Sequence, residues 1–190
     1  FQQLSPTRAA HVVAGLGDRV DLLLDGGPCD YGIESTVLDL SGPTPTVLRL
    51  GALPLDALRA VLPHVAVVEA HHGDGEAPPS LPSPGMLRKH YAPRARLLVA
   101  LPEALDEALS AVREGLPPGA TVALVSHRAQ PARQGVQTVN LPDNPRGYAA
   151  ALFAALHDLD ALGVGAVVVE AVPEAAGWEA VRDRLGRAAS

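Results

Sequence analysis

A single cysteine, Cys29, is present in 190 residues. No internal disulfide can form, and a reducing compartment is the expectation. Aromatic residues make up only 3% of the chain, so a core has to be assembled from Leu, Val and Ala. No apolar run approaches the ~18 residues of a membrane span. The opening residues also lack the basic-then-apolar pattern of a secretory leader. The expected location is therefore cytoplasmic, with no membrane association. Cations are scarce as well: 15 Lys and Arg stand against 21 Asp and Glu, a net charge of −6. An acidic chain is poorly suited to gripping a nucleic-acid backbone, which needs a basic face. A small local basic pocket for a phosphate remains compatible with it. The sequence has no P-loop, no G-x-G-x-x-G and no G-x-S-x-G elbow, so neither a nucleotide for the later half nor a covalent nucleophile is indicated.

What is there is globular. Hydrophobic residues make up 47% and charged residues 19%, a core-forming balance. Ser5-Pro6-Thr7 reads as a helix opening, with Ser as cap and Pro at the first helical position. A helix over TRAAHVVAGLG follows, then a buried strand over VDLLLDGG. PCDYGIESTVLDL reads as a turn and a strand, PTVLRLG as a third strand, and PLDALRAVLP as a short helix. Residues 1–62 thus read as α-β-β-β-α, about half a typical domain, with sheet edges left unpaired. Residues 63–95 change character: HHGDGEAPPSLPSPG concentrates Gly, Pro and acid, as an interdomain linker does. From Arg96 to residue 190 the pattern is regular, β-α-β-β-α-β-α. Leu105, Leu109 and Val112 share one helix stripe. Asn144-Pro145 caps a long helix carrying Tyr148, Leu152, Leu156, Leu159 and Leu162 at helical spacing. GAVVVEAVP has the continuous β-branched run of a strand covered on both faces. The expected fold class is α/β, the last unit being small and Rossmann-like with a mostly parallel sheet.

Some residues point to chemistry. Gly32 permits a sharp entry to a strand, after which Glu34, Ser35 and Thr36 present polar groups near its start. The two hydroxyls either ligate a polar substrate or are ordinary strand residues. Arg49 lies among apolar neighbours in VLRLG. It either reaches water from an edge strand or pairs with a phosphate, which a guanidinium binds bidentately. Ser5 and Thr7 at a helix start either form a plain cap or an anion site. In the stretch SPGMLRKHYAP, two prolines and a glycine exclude a regular interior, yet Arg88, Lys89, His90 and Tyr91 offer donors and rings. Other features read as bland. His71 and His72 with Asp74 and Glu76 lack regular metal-ligand spacing. Ser35, His11 and Asp39 as a triad lack an elbow, and Cys29 reads as an ordinary small side chain. Arg182, Arg184 and Arg187 read as a solvated helix face whose cations suit the helix C-terminus.

LSPTRAAHV, LLLDGGPCDYGIESTVLDL, VLRLGAL and SPGMLRKHYAP, in this order and at these separations, resemble the two-domain YrdC-like L-threonylcarbamoyladenylate synthases. The closing WEAVRDRLGRAA is also similar to that family's C-terminus. The resemblance implies an α/β catalytic domain, a linker, and a small Rossmann-like domain. It implies a nucleotidyltransferase that makes threonylcarbamoyl-AMP and pyrophosphate from L-threonine, bicarbonate and ATP with Mg²⁺. The product would pass to the tRNA threonylcarbamoyl-transfer machinery, with no strong direct tRNA binding by this chain. Carried onto matching positions, Thr7, Arg49 and Tyr91 would contact ATP and Ser35 would contact L-threonine. The linker would fold over the site as a lid. No resident metal site and no catalytic residue are assigned. Leu50 stands where the family has proline after the arginine. The family's basic triphosphate-gripping motif and S-x-N element, which precede S-P-T, are not in this sequence. The expectation is that the chain is the C-terminal portion of a synthase and inactive alone. The competing expectation is a non-catalytic α/β module that docks on a separate catalytic subunit.

Overall fold

The computed structural model describes residues 3–68 and 92–189. Within residues 3–68 the elements are α1 (Ala9–Leu16), β1 (Val37–Asp39), β2 (Thr46–Arg49), α2 (Leu55–Val61) and β3 (Ala66–Val67). β1 pairs antiparallel with β2, and β2 pairs parallel with β3. Two expectations are corrected here. VDLLLDGG is not a strand: residues 20–26 carry no regular structure, and Leu22 and Leu24 are 75% and 85% exposed. A strand needs a neighbour to take its backbone hydrogen bonds, and none of the described strands lies beside this segment. Nor does Ser5 cap α1. The helix starts later, with Arg8 at its N-cap and no side-chain cap, because the Ser5 hydroxyl is bonded to Glu34 instead. α1 is apolar almost throughout, yet none of its residues is buried.

Residues 92–189 hold a different kind of structure. The elements are β4 (Arg96–Ala100), α3 (Leu105–Glu114), β5 (Val122–Ser126), β6 (Val136–Asn140), α4 (Pro145–Ala161), β7 (Ala166–Glu170) and α5 (Glu179–Ala188). The sheet order is β4-β7-β5-β6, and every pairing is parallel. This is the expected α/β arrangement. β7 is buried along its whole length: Ala166 and Val168 face α3, while Val167 and Val169 face α4 and α5. Leu105, Leu109 and Val112 of α3 are buried on the first face. Tyr148, Leu152, Leu156 and Leu159 of α4 are buried on the second. Each large apolar side chain removed from water there is worth about 1.5–3 kcal/mol. Asn144 caps α4 as expected, its Oδ1 accepting from the Gly147 N–H at 2.8 Å. Leu162 lies just past the helix end and is 63% exposed, so the buried stripe stops at Leu159.

The sheet also carries a buried carboxylate. Glu170, at the end of β7, is fully buried. It accepts hydrogen bonds from Ser126 Oγ, from Arg128 Nε at 2.8 Å and from Gln130 Nε2 at 3.2 Å. Burial alone would push its carboxyl up, but the hydrogen bonds from Arg128 and Ser126 and the charges of Arg128 and His127 outweigh it and hold it below the usual range. Among the described residues, no helix is long and apolar enough to cross a membrane.

Candidate functional site

Residues 32–36 run as a strip against α4. A Cβ on Gly32 would sit 2.4 Å from the carbonyl oxygens of Ala149 and Ala150, so only glycine lets the strip approach this closely. Ile33 then enters the core beneath α4. Residues 49–53 run beside the strip. A Cβ on Gly51 would lie 2.3 Å from the Glu34 carbonyl oxygen and 2.4 Å from the Thr36 nitrogen. The Ala52 N–H donates to the Glu34 carbonyl at 3.0 Å. The Thr36 hydroxyl donates to the Leu53 carbonyl at 2.8 Å and accepts from the Leu53 N–H at 3.2 Å. Thr36 is thus spent on holding the two segments together.

That close packing brings Ser35 and Arg49 into contact. Arg49 Nε donates to the Ser35 carbonyl at 3.1 Å and Nη2 to the Ser35 hydroxyl at 3.3 Å. Ser35 is exposed. A hydroxyl and a guanidinium, presented together from two backbone segments, can receive a small polar molecule and an anionic group side by side.

The S-P-T segment joins them through Glu34. One carboxylate oxygen of Glu34 accepts from the Ser5 hydroxyl, and the other accepts from Arg184 Nε at 2.7 Å. Arg184 comes from α5, and its Nη2 donates to the Leu50 carbonyl at 2.8 Å. Leu4, next to Ser5, is buried in the same core as Ile33. The Ser5 carbonyl lies 3.1 Å from Nε2 of His157 in α4. Thr7 is buried. Its N–H donates to His11 Nδ1 at 3.2 Å, its hydroxyl lies 3.3 Å from the same atom, and its carbonyl accepts from the Cys29 N–H at 3.0 Å. The rings of His11 and His157 stack with centroids 3.9 Å apart. Burial, then the charges of His157 and Arg8, push the His11 imidazole below its ordinary value, with Asp158 opposing. Tyr91 lies outside the described residues, as do His71, His72, Asp74 and Glu76.

Arg184 corrects the reading of the last helix. Far from being solvated, its side chain is 0% exposed. Arg182 Nη1 donates to the Pro173 carbonyl at 2.6 Å, and Arg187 Nε to Asp183 at 3.0 Å. A signal for Arg184 was present: it falls between Val181, Leu185 and Ala188 on the i, i+3, i+4, i+7 stripe of α5, and all of these are buried. Ser35, His11 and Asp39 do not assemble as a triad. His11 serves Thr7, and Asp39 accepts from Ser41.

One cavity borders these strips, and another lies beside Thr7. The first, of about 410 Å³, is lined by Tyr31, Ile33, Leu50, Asp56, Arg146 and Ala149, with the Arg146 guanidinium 5.3 Å from the Tyr31 ring centre. The other, of about 560 Å³, lies between Thr7, Cys29, Val139, Ala151 and Ala154. Among the described residues no group of three or more His, Cys, Asp or Glu is placed to hold a metal ion. Both oxygens of Glu34, the carboxylate nearest Ser35, are already engaged. These residues do not fit a resident metal.

Comparison with known proteins agrees with this architecture. Residues 53–190 match the family model described as "Threonylcarbamoyl-AMP synthase, C-terminal domain", and residues 1–51 match the Sua5/YciO/YrdC model described as "Telomere recombination". The chain is 30% identical to the threonylcarbamoyl-AMP synthase of Pyrococcus abyssi over 97% of this chain and 54% of that protein. It is 30% identical to that of Bacillus subtilis, over 97% and 53%. It is 32% identical to that of Schizosaccharomyces pombe, over 98% and 49%. The crystal structure of P. abyssi Sua5 complexed with L-threonine superposes with a TM-score of 0.84 at 30% identity, covering 99% of this chain and 55% of that one. The chain thus spans about half the length of the curated relatives it matches. By these matches the chain belongs to the threonylcarbamoyl-AMP synthase family and carries that family's C-terminal domain over residues 53–190.

Proposed function

We propose that this protein takes part in the synthesis of threonylcarbamoyl-AMP from L-threonine, bicarbonate and ATP, with Ser35 on the threonine side and Arg49 on the phosphate side. The observation that carries the reading is the direct contact of Ser35 with Arg49, in a family whose P. abyssi member has been crystallised with L-threonine.

The chemistry suits such a site. The threonine amine and bicarbonate condense to a carbamate with loss of water. A carbamate oxygen then attacks the α-phosphate of ATP, the bond to the β-phosphate oxygen breaks, and pyrophosphate leaves. No covalent enzyme intermediate is needed. The protein's work is to hold the two reactants in line and to neutralise phosphate charge as it redistributes. The Ser35 hydroxyl orients the amino acid. The Arg49 guanidinium, held edge-on to Ser35, places positive charge beside the phosphates. Mg²⁺ arrives with the nucleotide as part of the substrate. Thr7, whose hydroxyl lies beside His11, contacts the nucleotide from the S-P-T segment. Tyr91 contacts the nucleotide from the linker. The product passes to the enzymes that transfer threonylcarbamoyl to tRNA.

The test is pyrophosphate release by the full-length gene product with ATP and Mg²⁺, with and without L-threonine plus bicarbonate. The expected result is release that depends on threonine and bicarbonate, and that falls at least tenfold in Ser35→Ala and Arg49→Ala. Release indifferent to threonine, or wild-type rates in both variants, overturns the proposal.

A further inference from the structure

Arg184 is a fully buried cation on the apolar stripe of α5. Burying a charge carries a large desolvation cost, and replacing a buried ion pair by apolar side chains of similar size is often neutral or stabilising. Stability of the 92–189 core therefore does not explain an arginine where leucine would pack as well. Its partners do. Nε meets Glu34 at 2.7 Å, and Nη2 meets the Leu50 carbonyl at 2.8 Å. Glu34 precedes Ser35 and is bonded in turn to Ser5. Leu50 follows Arg49. One guanidinium from the far end of the chain thus touches residues directly adjacent in sequence to both members of the Ser35–Arg49 pair, and reaches the S-P-T segment through a single carboxylate. The planar fork is suited to this, because it fixes the direction of several hydrogen bonds at once. Asp183 adds a second carboxylate beside the guanidinium.

We propose that Arg184 is a positioning residue of the synthase site, and that holding the S-P-T, G-I-E-S-T and R-L-G segments in register through it is a task of the C-terminal domain. The inference rests on the reading of Ser35 and Arg49 as substrate contacts, but its first test needs no substrate. Amide exchange of the full-length gene product separates the two. In Arg184→Met, exchange at residues 4–6, 32–36 and 49–52 accelerates at least tenfold, while β5 and β7 keep wild-type protection. In Glu34→Gln, the acceleration is confined to 4–6 and 32–36, because the Leu50 arm is intact. Arg184→Lys keeps the charge without the fork and falls between wild type and Arg184→Met. It also serves if the methionine variant does not fold. In the pyrophosphate assay, Arg184→Lys raises the KM for L-threonine at least fivefold and changes kcat less than threefold. Unchanged exchange in the three segments, acceleration spread evenly over the sheet, or loss of kcat with unchanged KM each overturns the positioning role. Failure of the function reading shows instead as threonine-independent release in the wild type, with the exchange pattern intact.

Discussion

The two described regions use apolar residues in opposite ways. In residues 92–189, side chains from α3, α4, α5 and all four strands close two continuous cores on the two faces of one sheet. In residues 3–68 the buried hydrophobic residues are Leu4, Ile33, Val47 and Val65, and the first two belong to the other region's core. α1 and α2 bury nothing, and Val13, Leu22 and Leu24 face outward. The difference shows what makes a short segment precise. The strips that carry Ser35 and Arg49 lack a core of their own, and are placed by anchors on a rigid neighbour: Leu4 and Ile33 in its core, Gly32 against its helix, and Arg184 across the gap. Loosely packed segments open at low free-energy cost, so each anchor counts.

The comparison can be broken first at its stronger side. Phe153→Ala or Leu152→Ala removes a fully buried side chain from the shared core and costs about 2–5 kcal/mol. In thermal unfolding both regions melt together at a lower Tm, since the strips cannot stay ordered without their platform. Retention of the strips after loss of that core contradicts the account.

The next effect is local. Gly51→Ala forces a Cβ into the backbone of residues 34–36 and costs about 1–3 kcal/mol by overpacking. The damage falls on the Ser35–Arg49 contact and leaves the parallel sheet protected, as amide exchange will read. Gly42→Ala is the control, because nothing lies within 4 Å of its Cβ.

Acid should then separate the regions. The His11 imidazole sits below its ordinary value of 6.5, so the unfolded or undocked chain binds the proton more readily. The stability it contributes is complete above pH 6.5 and is lost as pH falls through the folded value. The groups facing it are Arg8, His157 and Asp158. Glu170 is likewise held below its ordinary 4.5, so its share of stability persists to about that pH and is lost below it. Protection of the amides at residues 4–8, corrected for the intrinsic pH dependence of exchange, therefore falls between pH 7.5 and 5.5 while the sheet around Glu170 stays protected. His11→Gln flattens the first change. Simultaneous loss of both regions contradicts the assignment.

The smallest effect concerns the exposed apolar surface. Val13→Lys with Leu22→Lys and Leu24→Lys leaves the unfolding free energy within about 0.5 kcal/mol of wild type per site, as exposed substitutions do, and lowers binding of a hydrophobic dye. A large loss of Tm would mean that these side chains are buried.

Legibility followed the same division. The helices and strands of residues 92–189 were readable because each buries one face, and burial writes periodicity into the chain, as in Leu105, Leu109 and Val112 or the Val167–Val169 run. VDLLLDGG misled because an apolar run states only that a segment wants cover, not that a strand lies beside it. The motifs single out Ser35 and Arg49 as candidates, but their mutual contact was not legible, since 14 residues separate them. Arg184 was misread because three arginines in six residues look solvated. Its place on the stripe of Val181, Leu185 and Ala188 was the signal, for a cation on a buried stripe must have partners.

The most direct test of the central claim is amide exchange of the full-length gene product with and without L-threonine. The account predicts that threonine slows exchange at residues 34–36 and 49–52 and leaves the β4–β7 sheet unchanged. Protection elsewhere, or none at these two segments at saturating threonine, would contradict it.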